Sequence, residues 1–293
     1  MKYKVTHTTK YVYTDAVSVC HNQVHLAPRE STRQRCSWHR LLIHPEPAER
    51  GKRLDYFGNP VDYFSIHDSH LGLTVTATSQ VEVLPRVVAS EDKSPTWETV
   101  AAVAREDRSP AGLIVHQFLY DSPCVRQLPE LRAFAEPSFP TGRSIVEAAT
   151  DLNARIHTEF AYDPRATTVN TPLEQVLKQR RGVCQDFAHL AIGCLRAMGL
   201  PARYVSGYLR TIPPPGQPRL VGADASHAWL SVYCGPLGWV DLDPTNNVLP
   251  TTDHLTVAWG RDYSDVCPIQ GVFVGGGQHT MTVSVDVEPL QRS

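Results

Sequence analysis

Polar and apolar residues alternate strictly at the start of the chain. Tyr3, Val5, His7, Thr9 and Tyr11 fall on one face, and Lys2, Lys4, Thr6, Thr8 and Lys10 on the other. That period of two is the signature of a half-buried strand. Further strand-like runs occupy Gln23–Ala27, Cys36–Ile43, Arg53–Tyr56, Val61–Ile66, Leu71–Thr78 and Val81–Leu84, with Phe57-Gly58-Asn59-Pro60 as turn chemistry between two of them. Residues 1–85 therefore read as an all-β, sandwich-like domain. Its histidines, among them His21, His25, His39 and His44, are scattered over strand-like runs and read as exposed or structural.

Residues 86–110 are polar around Ser90-Glu91-Asp92-Lys93-Ser94-Pro95 and read as a linker, interrupted by a short helix near Thr96–Arg105. From residue 111 onward the apolar period becomes helical. Ile145, Ala149, Leu152, Ile156 and Phe160 form one stripe, and Thr171-Pro172-Leu173-Glu174 supplies a cap, a first-turn proline and a capping-box glutamate for a helix over about Pro172–Arg180. The next apolar series is Phe187, Leu190, Ala191, Cys194, Leu195 and Met198, a one-faced amphipathic helix of about four turns stopped by Gly199 and Pro201. Strands then return at Arg203–Leu209, Ser226–Cys234 and Trp239–Leu242, separated by a Pro213–Gly216 loop and a Gly235–Gly238 turn, with a last strand at Thr280–Val287. Helices followed by an antiparallel sheet predict an α+β domain over residues 111–293.

Composition narrows the function. In 293 residues, 28 Lys+Arg stand against 30 Asp+Glu without a basic patch, so neither nucleic acid nor an anionic membrane is an expected partner. No run of about 18 apolar residues occurs, and the first residues lack the pattern of a secretory signal. Seven cysteines without paired close spacing suit reduced thiols and a cytoplasmic location. There is no C-x-x-C pair for zinc, and Gly275-Gly276-Gly277 lacks the lysine and helix start of a phosphate loop, so no metal or cofactor is expected.

Against this background one thiol stands out. Cys184 opens the helix after Gly182, where unsatisfied N–H groups and the positive end of the helix dipole favour a thiolate. A thiol nucleophile needs a base and a group to orient it. Strand alternation places His227 on one face with Trp229, Ser231 and Tyr233. If the hairpin turns at Gly235–Gly238, the position opposite His227 is near Thr245, which favours Asp243 over Asp241 as the orienting acid. Asp243 shares His227's face only if the turn holds an odd number of residues or a bulge. The Cys184 backbone N–H is the natural oxyanion donor, and Gln179, Gln185, Tyr162 and Trp229 remain open as the second.

The blocks RRGVCQDFAHLAIGCLRAMGLPARYVSGY, SHAWLSVY and GWVDLDPTN, in that order, resemble the transglutaminase-like cysteine-enzyme superfamily over roughly Ser144 to Asn247. The N-terminal β region and the tail segments GRDYSDV and GVFVGGG resemble bacterial members proposed to be cysteine proteases. The resemblance implies a papain-like α+β core with Cys184 as nucleophile, His227 as general base and acid, and Asp243 as the orienting acid. It implies a peptide or protein amide substrate and a thioester intermediate. Water would resolve that intermediate in a peptidase or amidase, and a lysine amine in a transglutaminase. A non-catalytic binding protein on the same scaffold is the competing reading; the sequence leaves the oligomeric state open.

Overall fold

The computed structural model describes residues 1–85, 94–211 and 224–290. The Pro213–Gly216 loop and the centre of the linker, residues 90–93, lie outside them. In the N-terminal region, strand β1 (Lys2–Val24) carries the alternation far beyond Tyr11 and becomes the middle of a seven-stranded sheet. Strands β4 (Pro60–Ile66) and β5 (His70–Val83) run end to end along one edge of β1, with Ile66 opposite Cys20 and His70 opposite Val17. β5 joins two of the expected strands into one. Outer strands β2 (Gln34–His44) and β3 (Glu49–Leu54) pair with β5 and β4 respectively.

The helical part begins with α1 (Trp97–Glu106), where a linker helix was expected; Thr96 caps it by accepting from the Thr99 N–H. Helices α2 (Pro110–His116), α3 (Pro129–Ala135) and α4 (Ile145–Glu159) follow, then β6 (Ala161–Tyr162), α5 (Leu173–Gln179), β7 (Arg181–Gly182) and α6 (Cys184–Ala197). Two details depart from the sequence reading. The α5 helix starts one residue late, with Pro172 as its cap, because the Thr171 hydroxyl accepts from the Thr168 N–H instead of the helix. And α6 is buried on every side from Asp186 to Arg196, not along one stripe. Its apolar side chains Leu190, Ile192, Cys194 and Leu195 are fully enclosed, each large aliphatic one stabilising the fold by roughly 1.5–3 kcal/mol.

The polar residues of α6 are enclosed because they are satisfied. Arg196, 1% exposed, donates to the carbonyls of Ala202, Tyr120 and Arg261 and to the Ser122 hydroxyl. A buried guanidinium with that many acceptors links four segments of chain.

An antiparallel sheet in the order β10-β9-β8-β11 covers α6, formed by β8 (Ala202–Leu209), β9 (Ala225–Tyr233), β10 (Trp239–Leu242) and β11 (His254–Gly260). After the short helix α7 (Tyr263–Val266), the tail returns to the N-terminal sheet: β12 (Ile269–Gly275) and β13 (His279–Leu290) run end to end along the free edge of β1. Gly275, Gly276 and Gly277 all have positive φ, so the break between these strands needs residues without a Cβ. One continuous core spans both regions, with Tyr3, Val5, Val285 and Val287 of the N-terminal sheet packed together with the α6 side chains and Ala228 and Leu230 of β9.

Candidate active site

Cys184 is delivered to its place by a short strap. Helix α5 ends at Arg180 in the left-handed conformation (φ 54°), a position that usually takes glycine. Arg180 stacks on Phe134 and Phe160 at 4.8 and 4.7 Å and pairs with Glu159 at 3.1 Å, interactions that offset the unfavourable backbone angle. Arg181 and Gly182 then pair in parallel with Ala161 and Tyr162. Asp186, in the first turn of α6, reaches back to accept from the Val183 N–H at 2.8 Å and from the Thr167 hydroxyl at 2.6 Å. A Cβ on Gly182 would lie 2.6 Å from that same carboxylate oxygen, so only glycine fits beside the cap.

His227 and Asp243 meet as the hairpin count required. Tyr233 pairs with Trp239 and Leu230 with Leu242, leaving five residues, Cys234–Gly238, in the turn. The odd count puts His227, Trp229, Ser231, Asp241 and Asp243 on one face. His227 Nε2 lies 2.7 Å from Asp243 Oδ2. With the Nε2 proton given to the carboxylate, Nδ1 is the ring nitrogen left for another partner, and Cys184 lines the same pocket, near enough to raise the pKa of the ring. Asp241, by contrast, accepts from the Ser231 hydroxyl and does not reach His227.

Two partners of Asp243 escaped the sequence reading. His254 Nε2, from β11, donates to Oδ2 at 3.0 Å, and Asn246 Nδ2 donates to the same atom at 2.7 Å. The other oxygen, Oδ1, accepts from the backbone N–H groups of Thr245 and Asn246. That local turn was foreseeable, since an aspartate two and three residues ahead of free N–H groups in Asp-Pro-Thr-Asn is an Asx-turn pattern. His254 left no such signal, because it depends on β11 joining the sheet beside β8.

The electrostatics follow from burial and pairing. Asp243 is fully buried, which would raise its pKa. The hydrogen bonds from His227 and His254, the charge of His227 and the bond from Asn246 outweigh this and hold the carboxyl far below the usual range. For His227, burial would lower the pKa, but Asp243 and then Cys184 raise it from 6.5 to about 9. The geometry thus favours an imidazolium between a carboxylate and a sulfur. His227, Asp243 and His254 also offer ligand atoms within 4.8 Å of one another, a possible metal cluster among the described residues. Both Nε2 atoms converge on one oxygen at hydrogen-bond distance, so their protons occupy the space an ion would need.

Cys184 and His227 open on a pocket of about 320 Å³. Its other walls come from both regions of the chain: Tyr204 of β8, Thr9 and Tyr11 of β1, and Met281 and Val283 of β13. His7 also lines it, its ring held by Thr9 at 2.9 Å and by the Tyr208 hydroxyl at 3.1 Å, and burial lowers its pKa to about 4. Among the four candidate oxyanion donors, Gln185 lines the pocket and Tyr162 is close enough for the Cys184 charge, after burial, to raise its pKa. Gln179 is exposed at the end of α5, and Trp229 lines a different pocket.

Comparison with known proteins agrees with this architecture. Residues 3–82 match the family described as bacterial transglutaminase-like N-terminal region, and residues 132–244 match the transglutaminase-like superfamily. An uncharacterized protein of Mycobacterium tuberculosis is 43% identical over 298 residues, covering 99% of this chain and 93% of its own length. A protein-glutamine gamma-glutamyltransferase of Pseudomonas aeruginosa is 36% identical over 97 residues, 32% of this chain and 14% of that protein. Among solved structures, one from Cytophaga hutchinsonii, proposed to be a cysteine protease, superposes with a TM-score of 0.78 at 20% identity, over 100% of this chain and 92% of its own.

Proposed function

Because the chain belongs to the transglutaminase-like superfamily, in its bacterial form with the matching N-terminal region, we propose that it is a thiol-dependent enzyme acting on a peptide or glutamine-type amide. Cys184 is the nucleophile, His227 the general acid and base, and Asp243 the acid that orients His227. The observation that carries this reading is the placement of His227, bonded through Nε2 to a buried carboxylate and lining one pocket with the helix-start thiol.

In the proposed reaction the Cys184 sulfur attacks the amide carbonyl, and the oxyanion is received by the Cys184 N–H at the start of α6. The C–N bond breaks as His227 protonates the departing amine or ammonia. Water, deprotonated by His227, then adds to the thioester, and the acid and free thiol are released. Hydrolysis is favoured over amine transfer because the outer wall of the pocket is open: Met281 and Val283 are 55% and 47% exposed, so water reaches the thioester. Amine transfer is the second reading, supported by the partial likeness to the Pseudomonas aeruginosa gamma-glutamyltransferase. We further propose a cytoplasmic location, as the spacing of the seven cysteines in the sequence suggests.

The test is incubation with blocked glutaminyl peptides, with and without a primary amine, followed by intact-mass spectrometry and ammonia measurement. The proposal expects a Cys184 adduct of substrate mass less one ammonia, glutamate product whether or not amine is present, and loss of both in Cys184→Ala. Product formed only with amine would shift the assignment to transfer. No adduct and no turnover across glutaminyl peptides and a mixed peptide library would refute the enzyme reading.

A further inference from the structure

A second pocket, of about 500 Å³, lies between the β8–β11 sheet and the N-terminal region and shares no lining residue with the Cys184 pocket. Its size is that of a small-molecule site. Three groups in its wall have unmet hydrogen-bonding capacity. Trp229 is 0% exposed and its Nε1–H has no acceptor among the described residues. His254 spends Nε2 on Asp243, and its buried Nδ1 has no partner. Arg203 has a buried, unpartnered Nε and forms no ion pair among the described residues.

Arg203 is also held rigid. Its guanidinium lies between two indoles, 4.3 Å from Trp239 and 3.8 Å from Trp259, and Arg29 covers the latter ring at 3.6 Å. A planar fork of donors fixed between aromatic faces is suited to a planar oxyanion, which it meets with two parallel hydrogen bonds. Asp241 also lines the pocket and is the charge that favours the Arg203 cation, so the site suits a singly charged oxyanion better than a doubly charged phosphate. The Trp239 and Trp259 edges supply apolar surface for the rest of the ligand.

We propose that this pocket binds a small carboxylic acid, its carboxylate held by Arg203 and the Trp229 Nε1–H beside His254. Leaving the buried Arg203 Nε–H and the buried Trp229 Nε1–H without acceptors is unfavourable, and a carboxylate supplies an oxygen for each. The site is independent of whether Cys184 turns over substrate.

Three of the five tryptophans, Trp229, Trp239 and Trp259, line the pocket, so intrinsic fluorescence reports its occupation. The full chain, with Cys184 capped by iodoacetamide to close the other site to chemistry, is titrated with sodium 4-phenylbutyrate, its neutral amide, and inorganic phosphate. The expected result is a saturable change with the carboxylate, at least tenfold weaker binding of the amide and of phosphate, and at least tenfold weaker carboxylate binding in Arg203→Gln. Should Arg203→Gln fail to fold, the indole N–H resonance of Trp229 in ¹⁵N-labelled wild type decides: it moves with the carboxylate and not with the amide. Equal binding of acid and amide, preference for phosphate, or no saturable response to any of the three overturns the proposal.

Discussion

Replacing Asp243 by asparagine removes one charge from the most enclosed group of the site while keeping its shape. In the native protein His227 is raised from 6.5 to about 9 against the opposing effect of burial, with Asp243 as the first cause of the rise. That difference corresponds to about 3 kcal/mol at ~1.36 kcal/mol per pKa unit. The figure agrees with the roughly 3–5 kcal/mol lost when one partner of a buried ion pair is removed. In Asp243→Asn the imidazole keeps its burial and loses its counter-charge, so its titration midpoint should fall by at least two units, to the neutral range or below. Histidine ring NMR on selectively labelled protein measures this, with His227→Ala identifying the resonance. At pH 7.5 the native ring is then mostly imidazolium and the variant ring mostly neutral. Alkylation of Cys184 should slow in step, because the cation facing its sulfur has gone. A His227 midpoint that stays near 9 in Asp243→Asn would show that the carboxylate does not set the charge of the ring, and the electrostatic account would be wrong.

Other outcomes follow from the same structure. A His227 pKa raised in the folded state stabilises the protein fully below pH 6.5, and that stability is lost as pH rises through about 9. Urea midpoints should therefore be higher at pH 6 than at pH 9.5, by up to about 3 kcal/mol in unfolding free energy, and Asp243→Asn should flatten the difference. Gly182→Ala forces a Cβ to within 2.6 Å of the Asp186 carboxylate. It should cost about 1–3 kcal/mol by displacing the cap of α6 and should lower Cys184 reactivity, checked by thermal melts and alkylation. Arg196→Met strips the hydrogen bonds from the Ala202, Tyr120 and Arg261 carbonyls. The resulting buried, unsatisfied groups should lower stability by roughly 3–5 kcal/mol in chemical denaturation, whereas the exposed Arg132→Met should change it little.

Much of the site was legible because its parts are local. A glycine before an apolar helical series marks the start of α6, strand alternation places His227, and hairpin parity selects Asp243 over Asp241. All three are consequences of short-range backbone geometry. What stayed hidden depends on long-range pairing. His254 reaches Asp243 only because β11 joins the sheet next to β8, and nothing near His254 in the chain signals that neighbour. Likewise, β12 and β13 look like a plain C-terminal tail in sequence, yet they complete the sheet around β1 and put Met281 and Val283 in the wall of the Cys184 pocket. The polar side of α6 misled for a related reason. Arg196 reads as a solvent-facing residue of an amphipathic helix, and two of its three carbonyl acceptors, Tyr120 and Arg261, come from distant segments. The cap of α5 moved by one residue because Thr171 found a closer partner in Thr168, a competition between side-chain bonds that propensity cannot rank.

The central claim is that Cys184 is an activated thiol paired with His227, and the most direct measurement is the pH dependence of iodoacetamide alkylation at each cysteine, read by mass spectrometry. Cys36, Cys124 and Cys267 are also partly accessible and serve as internal references; burial and then the Asp262 charge push the Cys124 thiol up to about 11. The account predicts that Cys184 reacts far faster than these three near neutral pH, and that His227→Ala both slows it and changes its pH profile. If Cys184 in native, folded protein reacts no faster than Cys36 or Cys267, with or without His227, the pair does not exist and the proposed chemistry fails with it.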